Sequence, residues 1–180
     1  NRLREFIHNP NDFIQMVKRC VTTVLSGLVV EGIQYEQISG AVYELRELQK
    51  DGQEERDRFV DQMYEVKNKQ KTDFDWIVYD STVELEFAKL LDSREDIKLF
   101  VKLPQKFRVP TPVGDYIPDW AIVKQVDGED RIYMIRETKS SSLSSDLRPI
   151  ENAKIACGKR HFAAIGIEDY CKSSPDSWNL

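Results

Sequence analysis

Three side chains near the middle of the chain have the types and spacing for metal-assisted hydrolysis. Asp119 follows a proline at the head of the apolar run Trp120 to Val123, and Glu137 and Lys139 close a second run that starts at Ile132. Both runs are rich in β-branched and aromatic residues, and the Asp127-Gly128 dipeptide splits them, which is the pattern of a β-hairpin. Alternation along the second strand sets Glu137 and Lys139 on one face. Two carboxylates on adjacent strands can share a hard divalent cation, Mg2+ or its substitute Mn2+, which takes oxygen ligands and keeps several waters. The Thr138 carbonyl is the candidate for a third oxygen. A cation so held lowers the pKa of its water and offsets charge developing on a phosphate. Lys139 is expected to orient or activate that water. Its proton affinity is pulled both ways, up by the carboxylates and down by burial and metal, so the sequence leaves the sign open. A Glu-x-Lys on a strand is also a common surface pair; the Pro118-Asp119 step ahead of it favours the chemical reading.

The elements that must position these groups follow from periodicity. Asp80 or Ser81 caps a helix from about Thr82 to Leu91, whose apolar side chains Val83, Phe87, Leu90 and Leu91 share one arc. Glu84 borders that arc and Glu86 lies on the opposite flank. A carboxylate at the edge of a core needs a partner, so Glu84 is read either as a ligand of metal or metal-bound water, or as half of a pair with a basic residue. Ile97 to Leu103 alternates as a strand, and Phe107 to Val109 starts an extended segment stiffened by Pro104, Pro110 and Pro112. After Lys139, the serines from Ser140 to Ser145 form a polar loop. Ser140 and Ser141 could touch phosphates there, or the loop is a plain linker. Ser145 or Asp146 can cap the next helix, with Pro149 in its first turn. Ile150, Ala153, Cys157 and His161 are expected to face the sheet, with Lys154 on the helix edge nearest Gly158. Lys154 either reaches a phosphate or is an edge lysine with a buried stem. Phe162 to Tyr170 holds the last strand, and Pro175 to Leu180 reads as a loose tail.

The first third of the chain carries no constellation of acids, histidines or nucleophiles and is read as structural. Asn11 to Leu28 has helical spacing with Asn11 or Asp12 as cap, Val29 to Ile38 a strand pattern, and Ser39 to Gln49 a helical one. Asp51 to Arg58 is a dense charge run, and helical spacing resumes from Arg56 to Val66. The polar stretch Lys67 to Asp75 is the candidate boundary, giving an extension over 1–75 and a domain over 76–180.

Composition fits a soluble globular chain, with 41% hydrophobic and 32% charged residues. No apolar run reaches the roughly 20 residues of a membrane span, and no membrane partner or signal peptide is expected. The start at Asn1 reads as a fragment of something longer. Three cysteines and two histidines lack metal-ligand spacing. A net charge of -5 argues against a free-standing, tight DNA binder. The charge is uneven, however: Arg131 to Arg160 holds seven basic residues, Arg148 and Lys154 among them, against three acidic ones.

Pro118-Asp119 followed by Glu137-Thr138-Lys139 resembles the signature of the PD-(D/E)XK nuclease superfamily. A wider stretch is similar to the C-terminal endonuclease domain of the restriction (Res) subunit of type III restriction enzymes. It comprises Lys102-Leu103-Pro104, Thr111 to Tyr116 running into Pro118 to Val123, and Arg136 to Lys139. The similarity spans about Tyr79 to Cys171. It implies an α/β fold with an α-β-β-β-α-β core and a mixed, mainly antiparallel sheet, which the helical spacing of the first third precedes with a mostly helical N-terminal extension. It also implies Mg2+-dependent cleavage of double-stranded DNA, with Asp119 and Glu137 on the metal, Thr138 lending its carbonyl, and Lys139 at the water. Glu84 would join the metal site, and Lys154, with Arg148 nearby, would face the DNA. A helicase-like motor on the same polypeptide, a separate modification methyltransferase subunit and a prokaryotic cytoplasmic setting come with the resemblance. ATP would serve that motor; these 180 residues contain no phosphate-loop motif. A repair or resolvase nuclease of the same superfamily, and a non-catalytic docking module of the same fold, are the alternatives.

Overall fold

The computed structural model describes residues 9–36, 62–127, 130–139 and 149–180. In chain order its elements are α1 (Pro10–Gly32), β1 (Met63–Glu65), β2 (Trp76–Val78), α2 (Thr82–Ser93), β3 (Ile97–Lys102), β4 (Trp120–Val126), β5 (Asp130–Thr138), α3 (Pro149–Ala164) and β6 (Asp169–Ser173). The expected hairpin forms: β4 and β5 pair antiparallel from Trp120↔Arg136 to Val126↔Asp130. β3 adds to β4 antiparallel, β6 to β5 parallel, and the sheet order is β3-β4-β5-β6. The sheet is thus mixed and mostly antiparallel, in the α/β arrangement compatible with a restriction-endonuclease-like core.

Strand alternation sorts the side chains into two cores. On one face Phe100, Trp120, Ile122 and Met134 pack against Phe87, Ala88 and Leu91 of α2. Phe87 meets the Trp120 ring edge-on at 5.5 Å; both are fully buried, each contributing about 2–3 kcal/mol by area removed from water. On the other face Ile135, Tyr116 and Tyr170 pack against Ile155 and Phe162 of α3. Ser81 sets the start of α2 by accepting from the Glu84 N–H at 3.2 Å.

Several elements depart from the sequence reading. α1 is capped by Asn9, whose side chain accepts from the Asp12 N–H at 3.3 Å, rather than by Asn11 or Asp12. It runs through Gly27 to Gly32, so no strand starts at Val29; an interior glycine costs a helix only about 1 kcal/mol. Met63 and Tyr64, read as helical, lie in β1, because pairing with β2 lets Val66 and Ile77 enter the core. The boundary at residue 75 falls inside this β1–β2 hairpin, where the Val66 N–H donates to the Asp75 carbonyl at 3.0 Å. In α3, Ala153 and Cys157 are buried as expected, while Ile150 is 41% exposed and Ile155 and Phe162 complete the buried face. The C-terminal tail is docked: Trp178 stacks on Phe87 at 5.3 Å, and the Ser173 hydroxyl donates to the Trp178 carbonyl at 2.7 Å. The helix from Ser39 to Gln49, the charge run, Ser140, Ser141, Arg148 and the caps Ser145 and Asp146 lie outside the described residues.

Candidate active site

The β4–β5 register that pairs Trp120 with Arg136 sets Asp119 opposite Glu137 one step further on. Directly opposed residues of an antiparallel pair share a face, and here it is the face that α3 covers. Asp119 is half-buried, and its Oδ2 accepts from the Thr138 N–H at 2.7 Å and the Thr138 hydroxyl at 2.8 Å. Glu137 is buried. Its Oε2 accepts from the Tyr116 hydroxyl at 2.6 Å, and its Oε1 lies 3.0 Å from Lys139 Nζ. Lys139 Nζ also pairs with Glu151 Oε1 of α3 at 2.7 Å. The Tyr116 and Tyr170 hydroxyls bond each other.

Electrostatics follow from this crowding. Burial first, then the Glu137 charge, pushes the Asp119 carboxyl up to about 7 against the opposing hydrogen bonds of Thr138. Burial also raises Glu137, although Lys139 and the Tyr116 hydroxyl pull it down. For Lys139, burial lowers proton affinity, but Glu137 and Glu151 outweigh it and hold the ammonium well above its ordinary value. The sign left open by the sequence is therefore upward: Lys139 is a cation. Burial and Glu137 keep the Tyr116 phenol protonated, so it is a donor to the carboxylate.

The other candidates stand apart from this group. Glu84 is on the α2 side of the sheet, where its Oε2 accepts from Lys102 Nζ and from the Asp80 N–H, both at 2.7 Å. The pair with a basic residue is what forms there, and joining a metal would first require breaking it. Glu86 is exposed. Lys154 Nζ donates to the Asp115 carbonyl at 2.8 Å, above Gly114, whose φ of 104° is one that glycine adopts freely. Arg136, counted in the basic surplus, is buried and pairs with Asp169 at 2.8 Å, so it holds β5 to β6.

Tyr116, Tyr170, Glu151 and Gly158 were not singled out as site residues from the sequence. Glu151 stands one helical turn before Lys154, a spacing that points to Lys154 rather than to its partner Lys139. Gly158 matters through what it lacks: a Cβ there would fall 2.4 Å from the Tyr116 ring. Tyr170 arrives from β6 and has no local signal.

No group of three or more His, Cys, Asp or Glu side chains among the described residues is arranged to hold a metal. The donor set of two carboxylates and backbone oxygen nevertheless suits a hard cation that keeps water ligands, and not a zinc-type centre. Two opposed acids, each with its proton affinity raised, are a pair that a cation would relieve.

In comparisons with known proteins, the family model described as Endonuclease domain matches residues 70–174. Neither a curated protein nor a solved structure matches the chain.

Proposed function

This chain belongs to the Endonuclease domain family, and from that premise we propose that it is the cleavage module of a type III restriction enzyme's Res subunit, hydrolysing phosphodiester bonds of double-stranded DNA. The observation that carries the reading is the meeting of Asp119, Glu137 and Lys139 on one face of the β4–β5 hairpin. Asp119 and Glu137, with the Thr138 carbonyl, would hold Mg2+, which when bound polarises the phosphate and supplies a water of lowered pKa. Thr138 orients Asp119 through its N–H and hydroxyl. Tyr116 fixes one oxygen of Glu137 and so aims the other. Lys139, protonated, is suited to hold the attacking water or to neutralise charge growing on a phosphoryl oxygen, rather than to remove a proton. An arriving phosphate can take the place of Glu151 at the ammonium. The complete enzyme would add the ATP-driven motor and the modification subunit, in a prokaryotic cytoplasm.

The test is cutting of supercoiled plasmid in Mg2+, by the chain alone and together with motor, modification subunit and ATP. Lys139→Ala and Asp119→Ala should each reduce the rate at least a hundredfold, the scale of removing one transition-state charge partner. Undiminished cutting by either variant would overturn the mechanism. Preference for branched DNA without ATP would move the domain to a repair or resolvase role.

A further inference from the structure

We propose that the polar stripe of α1 is a wall of the DNA channel, where Lys18 and Arg19 bind backbone phosphate next to the site. The inference rests on the nuclease reading above and adds residues from the part of the chain that sequence patterns left as structural. Gln15, Lys18, Arg19, Thr22 and Thr23 follow one another at helical spacing and line a cavity of about 860 Å³. Ile150, Glu151 and Lys154 of α3 form its other side. Glu151 is also the partner of Lys139, so the cavity adjoins the catalytic group through that ion pair.

The orientation of α1 is the reverse of ordinary packing. An amphipathic helix normally buries its apolar stripe, yet Ile14, Val17, Val21, Val24 and Leu28 are 41–62% exposed and Ser26 is the buried residue of the helix. The C-terminal end of α1 is fastened to α3: Arg160 Nη1 donates to the Glu31 and Ile33 carbonyls, both at 3.0 Å, and Tyr35 meets His161 edge-on at 5.1 Å. The polar side chains of α1 thus line the cavity it shares with α3. Lys18 and Arg19 are exposed and have no ion-pair partner among the described residues. Facing them, Lys154 is bound to a carbonyl rather than a carboxylate, and Glu151, paired with Lys139, is the one carboxylate among the described residues of the lining. A polyanion would meet three cations. By length and composition α1 is also apolar enough to cross a membrane, with a window of mean hydropathy 1.4. Two adjacent cations at its middle are what a spanning helix avoids, and they suit a groove for phosphate.

The experiment measures binding of a short fluorescein-labelled DNA duplex by anisotropy, with Ca2+ replacing Mg2+, over a series of NaCl concentrations. Lys18→Ala/Arg19→Ala should weaken binding and flatten the plot of log affinity against log salt by about 1.8, the value for two lost phosphate contacts. Both positions are exposed on a helix where alanine is favourable, and circular dichroism checks that helicity is kept. Lys89→Ala/Lys98→Ala removes the same charge from exposed positions on α2 and β3 and should leave the slope unchanged. If the α1 double variant behaves like that control while the wild type binds, the inference fails and the nuclease reading stands. Wild-type binding that depends on α1, without cutting in any divalent metal, defeats the nuclease reading and leaves the phosphate wall. A wild type that binds no duplex overturns the phosphate wall, and the nuclease reading is then decided by the cleavage assay with motor, modification subunit and ATP.

Discussion

Replacing Gly158 with alanine would place a Cβ 2.4 Å from Cε1 and 2.6 Å from Cδ1 of Tyr116. Carbon atoms rest about 3.5–4.0 Å apart, so the ring must retreat by about 1 Å. The tyrosine hydroxyl sits 2.6 Å from Glu137, and a displacement of that size is enough to lose the bond. Losing a hydrogen bond to a charged group costs about 1.5–3 kcal/mol, and overpacking adds about 1–3 kcal/mol. Alanine returns about 1 kcal/mol as the better helix former. The net loss is about 2–5 kcal/mol, read as a lower urea midpoint at unchanged slope. Divalent-ion affinity should also fall about 10–100-fold, as expected when a group orienting a ligand is moved. Tyr116→Phe isolates the hydrogen bond, and the double variant should cost less than the sum of the single ones, because the bond can be lost only once. A Gly158→Ala protein as stable as wild type, with unchanged metal affinity, would show that the Tyr116 ring does not depend on the missing Cβ.

Three further outcomes follow from the contacts. Asp92 accepts from the Tyr64 hydroxyl and the Lys67 and Asn68 N–H groups at 2.7, 2.8 and 3.0 Å; burial raises its carboxyl, but these bonds prevail and hold it below its ordinary value. Its folded pKa lies below its unfolded one, so its stabilisation is complete above the ordinary carboxylate range and lost as pH falls through the folded value. Asp92→Asn should cost about 1.5–3 kcal/mol at neutral pH and flatten the acid limb of thermal melts; an unchanged limb would contradict this. Glu84→Ala should lose about 1 kcal/mol as a helix-end and ion-pair defect and keep divalent affinity within about twofold; collapse of that affinity would return Glu84 to the metal site. Truncation after Ser177 removes the Trp178 ring from Phe87 and the Asn179 carbonyl that accepts from Arg136 Nε at 2.7 Å. It should destabilise the fold by about 3–5 kcal/mol, and an unaltered melting temperature would show that the tail is not part of the core.

What the sequence made legible was local. The β4–β5 hairpin is written in two apolar runs around a turn dipeptide, and the α2 helix in one arc of side chains behind a serine cap. Those patterns alone bring Asp119, Glu137 and Lys139 together, because strand register converts chain spacing into position on a face. The partners of these groups come from elsewhere. Glu151 reaches Lys139 from α3, Tyr170 reaches Tyr116 from β6, and the absent side chain of Gly158 makes room for a ring more than forty positions away. Tertiary packing decides such contacts. It also reversed two local readings: β1 forms where spacing looked helical, and the tail docks where periodicity was missing.

The account depends on Asp119 and Glu137 serving as a single cation site. Calorimetric titration of the chain with Mn2+, beside Asp119→Asn and Glu137→Gln, tests this without requiring cleavage. Binding heat is expected for the wild type, and its loss in both variants. A wild type that takes up no Mn2+, or variants that bind it as the wild type does, would contradict it.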